Sequence, residues 1–424
     1  MIKPKNKFHS DILKMFSGNM IGQVLGLISI PVVTRIYAPE LYGEYSMYLQ
    51  LVIATSILLS FRYEHLLILS SSHKAAVNNL KSIMMIALVA SLILPIFILS
   101  NKNLVEQYYS VKLDNYLILI LVFSGLLTCL SYGLEQNLQK KEVFFRSTLG
   151  DVFSKVVFFI FAVICAYSSL KEYGLLLSLM LGLSIKVIYL LWISKFDVLA
   201  GKQRFSFKEL KGLSKRSLAL VYSHLLLVST QLLPLQYVAA NFGKNTLGQF
   251  SLSLATLSLV VLLGSQPMSK VYFQRMSKTN TNQERLDLWN QTIKLAIMIS
   301  SPVFIVIYFT SDWGYQFVFG ENWNEAGSLA KILLFSSYFA FISRPMESTS
   351  LALNIWWYSP LWHSLRVFSM YLLFEYLEKN DIQLEQSLEY FVYLLIIVYI
   401  IDIVVQRTFL KRNHEEKNYK RIIN

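Results

Sequence analysis

The sequence predicts an all-α polytopic membrane protein, with about twelve transmembrane helices in two pseudo-symmetric six-helix lobes. Three observations carry this. Of 424 residues, 54% are hydrophobic and 15% charged, with a mean hydropathy of +0.47, where a soluble domain carries roughly 25% charge. Apolar runs of about 18 to 25 residues, each able to cross roughly 30 Å of hydrocarbon as a helix, recur from one end of the chain to the other. The two halves also repeat a motif. An offset of 205 residues aligns Tyr37-Ala-Pro-Glu-Leu-Tyr-Gly43-Glu-Tyr45-Ser46 with Phe242-Gly-Lys-Asn-Thr-Leu-Gly248-Gln-Phe250-Ser251, so that aromatic, Gly, aromatic and Ser coincide.

Spans are expected near 13 to 33, 45 to 65, 82 to 100, 116 to 134, 152 to 169 and 174 to 194 in the first half. In the second half they fall near 217 to 240, 248 to 268, 291 to 310, 327 to 347, 358 to 377 and 388 to 409. The expected lobes are residues 1–200 and 217–410, joined by a cytoplasmic linker at 201–216 and followed by a cytoplasmic tail at 411–424.

Loop charges test that count, because a missed span would invert the side of every later loop. With the N-terminus inside, cytoplasmic segments hold about 30 of the 39 Lys and Arg residues and outside loops about 7. Both termini are therefore expected in the cytoplasm. The formal charge of +13 reads as this positive-inside bias, not as a nucleic-acid surface, which needs basic residues gathered on one face. The lysines before the first apolar run precede a long segment with no small-residue cleavage pattern, which reads as an uncleaved first span. Tyr42, Tyr45 and Tyr48, and Trp356 with Trp357, stand at span ends and are expected in interfacial aromatic belts.

Cys129 and Cys165 lie in apolar runs, where a thiol behaves as a small hydrophobe. The six histidines lack metal-ligand spacing, and no glycine-rich phosphate loop or nucleophile elbow is found. The expectation is a transporter rather than an enzyme, without cofactor or metal.

Two cations stand deep in spans. Lys186 is about eight residues from either end of its run, roughly 12 Å inside the membrane, and Arg366 is about as deep in the eleventh. A charge at that depth costs at least about 2.5 kcal/mol and usually faces a bundle interior or wet cavity; the alternative is a side chain that snorkels to the interface. The acidic candidates for a coupling ion or charge pair are Asp402 and Glu375. Arg62 with Glu64, and Asp151 with Lys155, stand near the cytoplasmic face and form local ion pairs or a gate.

Several segments carry a resemblance. Asn19 and Gln23, followed by Pro31-Val-Val-Thr34-Arg35-Ile-Tyr37-Ala-Pro39-Glu-Leu-Tyr-Gly43, then Arg62-Tyr63-Glu64, then Gly248 through Gln266-Pro267 to Tyr272-Phe273, resemble the Wzx-type O-antigen oligosaccharide flippases of the multidrug/oligosaccharidyl-lipid/polysaccharide exporter superfamily. The resemblance, with the span count, covers essentially the whole chain. It implies two six-helix lobes around a central cavity open alternately to either side of the bacterial inner membrane. The implied substrate is an undecaprenyl-diphosphate-linked oligosaccharide moved outward for O-antigen or other surface polysaccharide, with membrane lipid around it. A coupling H+ or Na+, a polysaccharide polymerase and chain-length proteins are implied partners. On this reading Lys186 and Arg366 bind the diphosphate in place of water. Asn19, Gln23, Ser223, His224, Gln231 and Gln236, on the first and seventh helices, offer donors and acceptors to the sugars.

Three rival functions keep many of these features. A multidrug exporter of related fold selects buried acids for cationic drugs, whereas the deepest charges here are basic. A polysaccharide polymerase ordinarily carries a large periplasmic loop, and the longest outside loop here, around 311 to 327, is short. A lipid II flippase of the same superfamily is the nearest alternative.

Overall fold

A computed structural model describes residues 25–26, 28–70, 72–103, 106, 114–141, 143–194, 212, 214–279, 281–353, 355 and 357–423. The described residues are helices and turns, with no strand among them. A first helix, α1, covers 28–36. It is followed by α2 (Pro39–Ser60), α3 (His73–Ser100), α4 (Asn115–Lys140), α5 (Phe144–Ala166) and α6 (Gly174–Ile193). Then come α7 (Ser214–Lys278), α8 (Asn282–Phe319), α9 (Asn324–Met346), the short α10 (Ser348–Ala352), α11 (Tyr358–Lys379) and α12 (Leu384–Ile423).

Eight of these helices are long and apolar enough to cross a membrane, the 65-residue α7 being one of them. Every expected span from the second onward falls on a described helix, and the seventh and eighth share α7. There the chain leaves helical geometry at Gly243, whose φ of 83° is left-handed backbone that glycine adopts without cost. The helix starts follow local chemistry. Pro39 opens α2 at a position where a missing N–H costs nothing. The Ser72 hydroxyl accepts from the Ala75 amide to cap α3, and Thr281 caps α8 on the Glu284 amide. Pro95, Pro302 and Pro345 lie inside helices, which a packed membrane bundle tolerates.

Burial is arranged as a bilayer demands. Large apolar side chains point outward, with Leu92 73% and Phe309 74% exposed. Small hydroxyls such as Ser82, Ser178 and Ser253 are buried, and each bonds a carbonyl one turn back in its own helix.

The chain forms two compact units, Met1–Gly248 and Gln249–Asn424. In the first, α4 packs against α2, α3 and α6, and α5 against α6. Leu80, Ile83, Leu134 and Leu190 form the centre of a core there. In the second, α9 packs against α8 and α12, around Val261, Phe304, Leu334 and Phe341. The expected linker at 201–216 lies outside the described residues except at 212 and 214–216, as do Trp356, Asn19 and Gln23. Tyr42 and Tyr48 do not form a lipid-facing belt: both are buried inside the first unit. Trp357 is 60% exposed, as a belt residue should be.

Candidate functional site

Each unit contains a buried charged centre among the described residues. In the first it is built on Lys186, only 7% exposed. Its ammonium lies 2.8 Å from Glu135 Oε1 and 2.6 Å from Asp151 Oδ1. Three helices supply the cluster: α4 gives Glu135, α5 gives Asp151 and α6 gives Lys186. Tyr132, one turn before Glu135 on the same face of α4, places its ring centroid 6.0 Å from the Lys186 ammonium and 5.8 Å from the Arg62 guanidinium carbon. Arg62 Nη1 in turn donates to Glu64 Oε1 at 3.1 Å, both residues being buried. The charge of Lys155, one turn after Asp151, acts on Asp151 and Lys186. Three cations and three carboxylates thus balance formally. The cluster opens toward the surface of the unit at Asp151, whose side chain is 43% exposed, against 15% for Glu135.

Arg62 is aimed inward by an unusual backbone. Phe61 and Arg62 have φ of 48° and 57°, each a left-handed conformation costing about 1–2 kcal/mol for a residue with a Cβ. The reversal is held by hydrogen bonds: the Arg62 amide donates to Ser60 Oγ at 3.1 Å, and Ser217 Oγ donates to the Phe61 carbonyl. Next to it, His65 and His224 stack with ring centroids 5.2 Å apart, and His224 Nδ1 lies 2.8 Å from the Leu220 carbonyl oxygen. His65 stands in the 3-10 turn Tyr63–Leu69, beyond α2, which ends at Ser60 and so stops short of the residue 65 expected as the end of the second span. Burial, and then the charge of Arg62, hold its pKa down at about 4.

In the second unit the centre is Asp402, 1% exposed. Its carboxylate accepts three neutral donors: the Tyr358 hydroxyl at 2.5 Å, Ser343 Oγ at 3.1 Å and Gln406 Nε2 at 3.3 Å. Gln406 is itself held by the Ser350 amide, which donates to its Oε1 at 3.0 Å. Arg366 Nη2 donates to the Tyr399 hydroxyl at 3.0 Å and its guanidinium carbon lies 5.1 Å from that ring centroid. The charge of Arg366 also acts on Asp402. The Arg407 guanidinium carbon lies 5.2 Å from the ring centroid of Trp289.

The expected residues are therefore brought together unevenly. Lys186, Asp151, Lys155, Arg62 and Glu64 form one neighbourhood; Asp402 and Arg366 form another. Glu375 pairs with Lys379 at 2.7 Å on an exposed stretch of α11, away from Asp402. Ser223 and Gln236 are half-buried on α7, and Gln231 is exposed. Sequence reasoning missed Glu135, Tyr132, Tyr358 and Gln406. Glu135 stands one residue beyond the expected end of its span, and helix α4 continues through it to Lys140.

The sequence family described as polysaccharide biosynthesis protein matches residues 32–328, more than half of the chain. Comparison with curated proteins gave no match. Among solved structures the chain is similar to the lipid II flippase MurJ in an inward closed conformation, with 14% identity, 94% of this chain and 87% of that one covered, and a TM-score of 0.73. It is similar also to an inward-facing multidrug resistance MATE family transporter of the MOP superfamily, with 14% identity, 95% of both chains covered and a TM-score of 0.65. A MOP superfamily transporter from Pyrococcus furiosus, described by the reverse polarity of its binding pocket, matches at 14% identity over 94% of both chains, with a TM-score of 0.57. The chain is a multi-pass membrane protein that belongs to the polysaccharide biosynthesis protein family and has the fold shared by MATE transporters and MurJ.

Proposed function

We propose that this protein is a flippase that moves an undecaprenyl-diphosphate-linked oligosaccharide repeat unit from the cytoplasmic to the periplasmic leaflet by alternating access, for O-antigen or other surface polysaccharide. Family membership supports the pathway, and the fold supports transport. The observation that carries the reading is the charged cluster on Lys186, sunk in otherwise apolar helices. An ammonium has three donors, and two are directed at carboxylates. The third, together with exchange of the half-exposed Asp151, gives a phosphate its point of entry, and the displaced carboxylate keeps the cluster neutral once the anion leaves. Arg366 serves the same substrate from the second unit, and Asp402 takes the coupling ion. Two six-helix lobes, with both termini in the cytoplasm of the bacterial inner membrane, complete the proposal, and a polymerase and chain-length proteins receive the product.

The test is leaflet-resolved. Cells lacking the protein should accumulate lipid-linked repeat units on the cytoplasmic leaflet and lose the surface glycan; accumulation on the periplasmic leaflet overturns the proposal. The likeness to MurJ favours one second reading, lipid II as substrate. Rescue of cells depleted of their own lipid II flippase supports that reading, and failure to rescue removes it.

A further inference from the structure

The starts of α2, α4 and α6 surround a cavity of about 330 Å3 in the first unit, at the end opposite Arg62. Its floor is apolar and aromatic, formed by the buried Tyr48, Leu117 and Leu176. Its wall carries Glu40, Glu44, Asp114 and Glu172, with Lys244 the one cation among the lining residues. Acids near helix starts commonly balance the helix dipole, which accounts for Glu40 in the first turn of α2 and Asp114 before α4. That account does not reach Glu44, a turn further along α2, nor a walled concavity with a tyrosine floor.

The rim is also fixed in place. The left-handed Gly243 redirects the chain, so that Asn245 Nδ2 donates to Glu40 Oε1 at 2.8 Å and Lys244 pairs with Glu44. Across the cavity mouth the Tyr173 hydroxyl donates to Asp114 Oδ2 at 3.3 Å. Such a preformed pocket loses little entropy when it is filled. Its volume is near the lower end of the about 300–1,000 Å3 typical of small-molecule sites. Surplus carboxylates repel phosphate, while they accept hydrogen bonds from hydroxyl groups well.

We propose that this cavity is a glycan subsite that receives a non-acidic sugar residue of the transported substrate, its hydroxyls donating to the wall carboxylates above the Tyr48 floor. The subsite rests on the lipid-linked glycan reading above and deepens it by separating where the sugar is held from where the diphosphate is held. Lys186 lies twelve residues into α6 from Gly174, about 18 Å along the helix axis from the cavity end. The acidic and cation-bearing regions are therefore spaced along the unit.

The experiment uses a photoreactive benzoylphenylalanine in place of the lining residue Leu41, in full-length protein reconstituted with lipid-linked repeat units from its own cells, radiolabelled in the sugar. After illumination, mild acid cleaves the bond between sugar and diphosphate. Label that stays on the protein after acid supports a sugar in the cavity. Label that is released by acid shows that the cavity held lipid or diphosphate and overturns the subsite. Adding Glu44→Gln and Asp114→Asn to the same protein should lower acid-stable adduct about tenfold, the loss expected of one hydrogen bond to a charged group; an unchanged yield also overturns it. Outward movement of the same labelled lipid is measured in parallel. Movement without an acid-stable adduct sinks the subsite alone, and absence of movement sinks the flippase reading.

Discussion

Gly43 and Gly248 meet backbone to backbone: a Cβ on Gly43 would lie 2.7 Å from the Gly248 amide nitrogen. The two glycines hold the same place in the two copies of the repeated motif, 205 residues apart, and Glu40 and Asn245, hydrogen-bonded at 2.8 Å, have the same offset. Equivalent positions of the two motif copies are therefore in contact with each other inside the first unit.

The contact predicts sensitivity to a single methyl group. A Cβ on Gly248 runs into the carbonyl of Pro39 and lies 2.7 Å from its Cα, atoms that cannot rotate aside. Gly248→Ala should cost about 1–3 kcal/mol, the range for overpacking, read as a lower melting temperature of the purified protein in detergent. A melting temperature equal to wild type would show that the backbones separate without cost.

The Lys186 cluster predicts that removing the cation harms folding as well as transport. Lys186→Met leaves Glu135 and Asp151 without their shared partner. Breaking a buried pair costs about 3–5 kcal/mol, and the lower end applies because Asp151 is 43% exposed. Protein abundance in membranes should fall, and adding Glu135→Gln with Asp151→Asn should restore much of it. A single Lys186→Met variant as abundant as wild type contradicts the pairing.

How far the sequence exposes this site follows from what a linear pattern can carry. Depth along a helix is a count of residues, so Lys186 and Arg366 are visible as charges inside apolar runs. Which helices meet is not a count. Asp151 beside Lys155, four residues apart on α5, reads as a local pair, yet its short contact is with Lys186 on α6. Glu135 looks interfacial because hydropathy falls at that point, although α4 continues to Lys140. Asp402 shows the same limit, since its donors come from Ser343, Tyr358 and Gln406 on three helices. Aromatic residues at span ends divide by environment, with Trp357 outward and Tyr48 in the floor of a cavity. The fold is more legible because a span is a property of one continuous segment. Even there a single residue, Gly243, decides that α7 turns, which no hydropathy average reveals.

His65 predicts a pH dependence of stability. Its pKa in the fold is about 4 against an ordinary value of 6.5, so between those values the unfolded chain binds the proton more readily than the fold does. Its contribution to stability is present above about pH 6.5 and is lost as pH falls toward 4. Melting temperature should drop over that window, and His65→Phe, which keeps an aromatic ring beside His224, should shrink the drop. Parallel curves for the two proteins would place the acid sensitivity elsewhere.

The last prediction separates the charge of Asp402 from its hydrogen bonds. Tyr358 and Gln406 both donate to Oδ1, while Ser343 donates to Oδ2. In Asp402→Asn the amide oxygen can take the place of Oδ1 and serve the first two, and the amide nitrogen faces Ser343, whose hydroxyl can rotate to accept. Every partner remains satisfied, so the variant should melt within about 1 kcal/mol of wild type. Asp402→Leu differs: it strands three buried donors at about 1–3 kcal/mol each and should be poorly folded. If Asp402 takes the coupling ion, Asp402→Asn in vesicles should flip lipid-linked glycan at the same rate with and without an imposed H+ or Na+ gradient, whereas wild type accelerates with one of them. A variant that still responds to the gradient as wild type does leaves Asp402 with a structural role only, as the hub that ties α9 and α11 to α12.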